Sequence, residues 1–205
     1  REVDLVEHPP DERIGIAERA GFEQPELLGC GERAVEVGAK QVGALDEDAL
    51  SAAAVEELVA RGRAEAPGDL VALGEVGMGN TTVAAALASV LLGLRAEDVV
   101  GLGAGADSAM LARKREVVAG AVARVGATSD PMRALAAVGG PEVAYLTGTV
   151  LGAAERGAAV VLDGLLTSLA ALCAVLLEPA VDQHLVAGQR SRERVVAPSQ
   201  LAAQP

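Results

Sequence analysis

Aromatic residues are nearly absent from this 205-residue chain, which has one Tyr, one Phe and no Trp. Apolar residues nevertheless make up 51% of it. The core must therefore be filled by Ala, Val and Leu, whose small side chains allow helices to pack closely on a sheet. The length is enough for one large core, and the apolar content argues against a disordered chain. We expect a globular domain.

Basic residues are also few, with 17 Lys and Arg against 29 Asp and Glu. The formal net charge is -12 and the isoelectric point is about 4.6. Nucleic-acid backbones are bound mainly by clustered Lys and Arg, which release counterions. This charge balance argues against a nucleic-acid partner, so any phosphate must be held by a local group of donors.

Cysteine is scarce as well, and Cys30 and Cys173 are too far apart for a disulfide framework or a zinc site. Cys173 lies in an apolar run, which indicates a buried free thiol. The sequence also lacks a cluster of metal ligands and a Gly-x-Ser-x-Gly elbow. We expect neither a metal nor a cofactor.

A long uninterrupted hydrophobic run is missing. Residues 158–177 come closest, but Asp163 and Gly164 divide them, and an Asp at the centre of a membrane is costly. Residues 1–10 are charged and end in proline, unlike a secretory signal. We therefore expect a cytoplasmic protein without a membrane span. Because Arg1 stands where an initiator Met would, a fragment or processed form is also expected.

Short apolar runs alternate with helical patterns along most of the chain. Strand-like runs apolar on both faces and separated by helices indicate a parallel sheet covered by helices. The prediction is an α/β fold with a mainly parallel, Rossmann-like three-layer architecture at 46–193, an irregular segment of loops and short helices at 1–45 and a tail at 194–205. The predicted strands are 70–73, 99–102, 160–162 and 184–187, and the predicted helices are 46–63 (with Asp46 as a possible N-cap), 81–92, 108–125, 141–155 and 165–177.

The glycine-rich stretch at 74–82 joins the first of these strands to a helix. Gly77 and Gly79 permit close approach of the backbone, while Asn80, Thr81 and Thr82 offer polar side chains and a plausible helix cap. A helix N-terminus with free N–H groups is a favourable place for a phosphate. The alternative is a tight strand-to-helix turn with an ordinary cap.

Polar residues follow each predicted strand, and in a parallel sheet these positions meet at one edge. They include Glu75, Asp107, Asp163 and Ser191. Asp163 either caps the following helix or hydrogen-bonds a sugar. Lys114, in the basic run at 113–115, could reach back to neutralise a phosphate, whereas His184 is better explained as a strand residue with a satisfied ring.

Taken together, the motifs resemble one family, the nicotinate-nucleotide:dimethylbenzimidazole phosphoribosyltransferases, which make the lower-ligand nucleotide of cobalamin. The resemblance covers about 50–193 and agrees in order and spacing. It is carried by 74–82, 101–107 with 111–114, 135–142, 160–164 and 184–193.

The resemblance implies transfer of phosphoribose from nicotinate mononucleotide to a benzimidazole nitrogen, giving α-ribazole 5'-phosphate and nicotinate, and a homodimer. It implies a phosphoribosyl-binding domain at 46–193 and an active-site carboxylate at Glu75. The implied substrate-binding residues are Gly77, Gly79, Asn80 and Thr81 at the phosphate loop, Lys114 beside the phosphate or nicotinate, and Asp163, Gly164 and Ser191 around the ribose.

The chain departs from the family at both ends. Residues 1–42 show no match to the N-terminal region that helps to build the benzimidazole pocket in family members. Family members carry a glycine-flanked glutamate as general base, and residues 194–205 contain no such residue. The resemblance thus implies poor turnover by this chain alone, and the alternative is a non-catalytic or truncated nucleotide-binding member of the same family. A third hypothesis is an unrelated dinucleotide-binding module. Against it, residues 101–106 do not give the full glycine fingerprint, and Asp107 follows these glycines too soon to be the acid that holds a ribose.

Overall fold

A computed structural model describes residues 14–15, 36–37, 47–75, 79–101 and 108–188 of the chain. The strands are β1 (Ile14–Gly15), β2 (Glu36–Val37), β3 (Leu70–Ala72), β4 (Ala159–Leu162) and β5 (Leu185–Ala187). The helices are α1 (Ala52–Glu65), α2 (Asn80–Leu92), α3 (Ala96–Val99), α4 (Ser108–Val125), α5 (Pro131–Val138), α6 (Pro141–Glu155) and α7 (Leu165–Leu177), with a 3₁₀ helix at Pro179–His184.

The main sheet has three parallel strands in the order β3-β4-β5. Val71 pairs with Val160, and Val160 pairs with Leu185, so β4 is the central strand. Helices flank the sheet, which confirms the predicted α/β class. Because the strands are parallel and in register, the loops that follow Leu73 and Leu162 leave the sheet at the same edge.

The long helix α6 lies at the centre of the packing, and its residues from Pro141 to Ala153 are buried. It begins with proline, whose missing N–H costs nothing in the first turn. It packs on α1 and α7. The α1–α6 contact is close because glycines face backbone across it: a Cβ at Gly62 would overlap the Tyr145 carbonyl oxygen, and one at Gly148 the Val59 carbonyl oxygen.

Polar side chains connect the helices around this core. The Tyr145 hydroxyl donates to Glu65 Oε2 at 2.8 Å, joining α6 to α1. Asp48, just before α1, accepts from Arg124 at 2.7 Å and from Arg133 at 3.0 Å. Arg124 also donates to the Ala137 carbonyl oxygen at 2.8 Å, which ties the segment before α1 and helix α4 to the end of α5.

Several details of the sequence-based prediction differ from the structure. Residues 99–101 form no strand, since α3 ends at Val99; the fourth residue of that predicted run lies outside the described residues. Helix α1 begins later than predicted, at the N-cap Ser51, whose side chain accepts from Ala54 N. The N-terminal part contains the antiparallel pair β1–β2. Among the described residues, no helix has the length and apolar character of a membrane span.

Candidate phosphoribosyl site at the sheet edge

Helix α2 starts at the edge of the sheet where β3 ends. Its N-cap is Gly79, with φ +88°, a backbone conformation that favours glycine, and no side chain caps the helix. The predicted cap among residues 80–82 is therefore replaced by Gly79. Helix geometry leaves the first N–H groups of α2, those of Asn80 and Thr81, outside the helix's own hydrogen bonds. They form the positive end of a helix that an anion can approach.

Lys114 reaches this helix end from α4. Its Nζ donates to Thr81 Oγ1 at 3.2 Å, and the side chain is half-buried, whereas its neighbours Arg113 and Arg115 are exposed. Asn80 is only 8% exposed, and its Nδ2 has no hydrogen-bond partner in the structure. A buried amide donor without a partner is costly unless something else accepts from it. The first turn of α2 thus offers unsatisfied donors beside a cation.

Two carboxylates follow neighbouring strands at the same edge of the sheet. Glu75 follows β3, and Asp163 follows β4. Burial, and next the negative charge of Asp163, raise the pKa of Glu75 above its usual value. Glu75 Oε2 is buried without a hydrogen-bond partner. The structure therefore brings Glu75 and Asp163 into electrostatic contact.

A third carboxyl, Glu142, is absent from the predicted site residues. It lies in the first turn of α6, is 3% exposed, and its Oε1 has no hydrogen-bond partner. Burial raises its pKa to about 7; a hydrogen bond from its own backbone lowers it, and the charge of Glu75 raises it. The available signal in the sequence is an acid directly after Gly-Gly-Pro and before an apolar helix.

Gly164, rather than Asp163, is the N-cap of α7. The Thr167 hydroxyl accepts from Gly164 N and lies in hydrogen-bond distance of Gly164 O, both at 3.0 Å. Ser168 Oγ donates to the same carbonyl at 2.8 Å. The hydroxyls of Thr167 and Ser168 therefore hold this turn.

The structure does not place the remaining predicted residues at this site. Gly77 and Ser191 lie outside the described residues, as does Asp107. His184 belongs to the 3₁₀ helix rather than to a strand, and its Nδ1 is 3.0 Å from the Ala158 carbonyl oxygen, at the opposite end of β4. Its ring is satisfied, as predicted. Among the described side chains, no group of three or more His, Cys, Asp or Glu could hold a metal ion.

The site therefore combines two kinds of group at one sheet edge. The N-terminus of α2 and Lys114 supply donors and positive charge, while Glu75, Asp163 and Glu142 supply carboxyls of which two have raised pKa values. An anionic group and a cationic or hydroxyl-bearing group could be bound side by side in such a place.

Known proteins resemble this chain in sequence. A family model described as Phosphoribosyltransferase matches residues 17–204. The nicotinate-nucleotide–dimethylbenzimidazole phosphoribosyltransferase of Bradyrhizobium diazoefficiens is 43% identical over 151 residues, 73% of this chain and 43% of that protein. The enzyme of the same name from Variovorax paradoxus is 43% identical over 148 residues, 71% of this chain and 42% of that protein.

Two solved structures also resemble this chain. The nicotinate-nucleotide–dimethylbenzimidazole phosphoribosyltransferase of Thermus thermophilus superimposes with a TM-score of 0.68 at 35% identity, covering 80% of this chain and 52% of that one. A second structure from the same organism, titled CobT, gives 0.70 at 36% identity and covers 80% of this chain and 53% of that one. The chain spans less than half the length of the two curated relatives named above. It belongs to the phosphoribosyltransferase family that these proteins represent.

Proposed function

We propose that this chain supplies the site for transfer of phosphoribose from nicotinate mononucleotide to 5,6-dimethylbenzimidazole, the reaction named for its relatives. The observation that carries the proposal is the juxtaposition at the sheet edge: a helix N-terminus with Lys114, and two carboxyls, Glu75 and Glu142, that each have one buried oxygen without a hydrogen-bond partner. A phosphorylated sugar that becomes cationic as its base leaves needs both kinds of group.

The phosphate end is assigned to the first turn of α2. Gly79 leaves the N–H groups of the turn open, and Gly77 in the preceding loop is proposed to contribute to the same cradle. Lys114, directed to this turn by its hydrogen bond to Thr81, adds a positive charge that a phosphate can pair with. Asn80 Nδ2 supplies a further buried donor.

The sugar end is assigned to the carboxyls. As the bond to nicotinate breaks, positive charge develops on the ribose, and a fixed carboxylate stabilises it most in the transition state. Glu75 is proposed to be that catalytic carboxylate, with Asp163, Gly164 and Ser191 near the ribose. Burial and the Glu75 charge bring the pKa of Glu142 to about 7, so this carboxyl can accept or donate a proton near neutral pH.

Titration calorimetry with nicotinate mononucleotide tests the phosphate cradle. Gly79→Asp places a carboxylate beside the helix N-terminus, and Gly79→Asn introduces a side chain of the same shape without charge. Both residues tolerate positive φ better than others do. We expect Asn to retain binding and Asp to lose it. Equal affinities for the two variants would show that no phosphate sits at this turn.

Lys114 is tested in the same assay. Lys114→Met keeps the apolar stem and removes the ammonium group; a lost charged hydrogen bond is worth about 1.5–3 kcal/mol, or roughly ten- to a hundredfold in affinity. Arg113→Met, one residue away and exposed, is the matched control and should bind normally. Equal losses in both variants would indicate general electrostatic attraction instead.

Formation of α-ribazole 5'-phosphate tests catalysis. Glu75→Gln is expected to lower the rate about 10²- to 10³-fold, the usual effect of losing one group that stabilises charge in the transition state, while mononucleotide binding persists. Binding without turnover in the unmodified chain would favour a non-catalytic nucleotide-binding member of the family. Undiminished turnover by Glu75→Gln would remove Glu75 from its role and make Asp163 the next carboxylate to test.

The assembly and location are part of the same proposal. We infer a homodimer in the cytoplasm with no nucleic-acid partner, the last supported by the net charge of -12. Light scattering on the purified chain measures the mass directly, and a monomer at micromolar concentration would contradict the dimer.

A further inference from the structure

At the two adjacent glycines before α6, Gly139 and Gly140, a side chain would meet different obstacles. A Cβ at Gly139 would lie 2.5 Å from the Leu135 carbonyl oxygen and 2.9 Å from Leu135 Cα, so the backbone of α5 itself excludes a side chain there. A Cβ at Gly140 would meet something else: Glu142 Oε2, at 2.7 Å. The next nearest atoms, Glu142 Cδ and Val83 Cγ1, are both at 3.9 Å, an ordinary contact distance.

The backbone of Gly140 does not itself require glycine. Its φ of -136° and ψ of 163° are extended values that any residue adopts. Gly140 is also the N-cap of α6, where Ser, Thr, Asp or Asn would stabilise the helix by accepting from its first turn. Here no side chain caps the helix. The carboxyl of Glu142 instead folds back and accepts a hydrogen bond from its own backbone N–H.

We propose that Gly140 is a positioning residue for the Glu142 carboxyl: the space that its missing side chain leaves is the space that Oε2 occupies. In this position the carboxyl is buried and close enough to Glu75 for the two charges to interact. With Ala at 140, the flexible end of the glutamate is the part that can move, so the carboxyl turns away from the helix end and toward water.

The inference that this placement serves the transferase site rests on the proposed function. The placement of the Glu142 carboxyl does not. The placement itself can be measured without any turnover. The charged group that acts on Glu142 is Glu75 at the end of β3, and Asp163 at the end of β4 acts in turn on Glu75. Moving the Glu142 carboxyl into water reduces both its burial and its repulsion by Glu75, so its titration midpoint must fall.

The experiment is a carbon-13 NMR titration of the glutamate carboxyls in the unmodified chain, Gly140→Ala and Gly68→Ala, with the Glu142 signal identified by its loss in Glu142→Gln. Gly68 is the control because a Cβ there meets nothing within 4 Å. We expect a midpoint of about 7 for Glu142 in the unmodified chain and in Gly68→Ala, and a value at least one pH unit lower in Gly140→Ala. An unchanged midpoint in Gly140→Ala overturns the proposal, whether or not the chain is an active transferase.

A double-variant comparison covers the case in which Gly140→Ala is hard to fold. In a Glu142→Ala background, the atom that meets the new Cβ is gone, so Gly140→Ala should lower the melting temperature no more than Gly68→Ala does. Failure of Gly140→Ala to fold only when Glu142 is present would support the contact. An equal loss of stability in both backgrounds would place the conflict in the backbone and contradict it.

Discussion

Replacing Glu142 by Gln is expected to stabilise the folded chain at neutral and alkaline pH and to have little effect in acid. The folded-state pKa of this carboxyl is about 7, against 4.5 for an unperturbed glutamate. Between these values the folded chain holds a proton that the unfolded chain has released, so stability falls as the pH rises from about 4.5 to about 7. Each pH unit of that interval corresponds to about 1.4 kcal/mol, which gives about 3 kcal/mol for the ionised, buried group.

The assay is urea unfolding of the unmodified chain and Glu142→Gln from pH 4 to pH 8.5. The advantage of Gln should grow with pH and level off above about pH 7. Glu75, whose pKa is also raised, weakens both proteins in the same direction, so the difference between them reports Glu142 together with its repulsion by Glu75. Glu56→Gln, at an exposed position of α1, controls for the change in net charge. An advantage of the same size at every pH would refute the argument that burial of this carboxyl opposes its ionisation.

Two further changes test the packing away from the site. Asp48→Asn weakens the pairing with Arg124, and because the pair is partly exposed we expect a loss of about 1 kcal/mol or less at pH 7. The hydrogen bond from Arg124 is the largest cause of the lowered pKa of Asp48. The stabilisation is therefore present above the ordinary pKa of an Asp and is lost as the pH falls through the folded-state pKa. Urea unfolding at pH 7 and at pH 3 should show this difference. Gly62→Ala forces a methyl group against the Tyr145 carbonyl and should cost about 1–3 kcal/mol, while Gly68→Ala should melt near the unmodified chain in calorimetry.

The long helices were predictable because their signals are local. The structure gives α4, α6 and α7 the predicted bounds, and each has a glycine or proline before or after a sustained apolar pattern. The strand predicted at 99–102 is absent at 99–101 for a physical reason. Val99 and Val100 are buried, and a short apolar run has the same sequence pattern whether it ends a buried helix or forms a strand. Arg95, which pairs with Asp98 at 2.9 Å, helps to hold that turn as α3.

The site was only partly predictable for a similar reason. Positions after parallel strands meet at one edge by topology alone, so Glu75 and Asp163 could be placed from the sequence. Glu142 could not be recognised, because its importance depends on burial and on a charge that comes from another element. The hydrogen bond of Lys114 to Thr81 bridges two helices whose relative placement the sequence does not contain, although the reach of the side chain could be anticipated.

The glycine contacts between α1 and α6 have a mechanical consequence. Where backbone meets backbone, at Gly62 and Gly148, neither helix can slide or turn without opening a gap, so α6 behaves as a rod fixed along its axis. Glu142 lies six residues from Gly148, about 9 Å along that rod at 1.5 Å per residue. The Glu142 carboxyl is thereby carried by a helix whose position is fixed by close backbone contacts. A substrate entering the proposed site would therefore meet this carboxyl at a fixed position along α6.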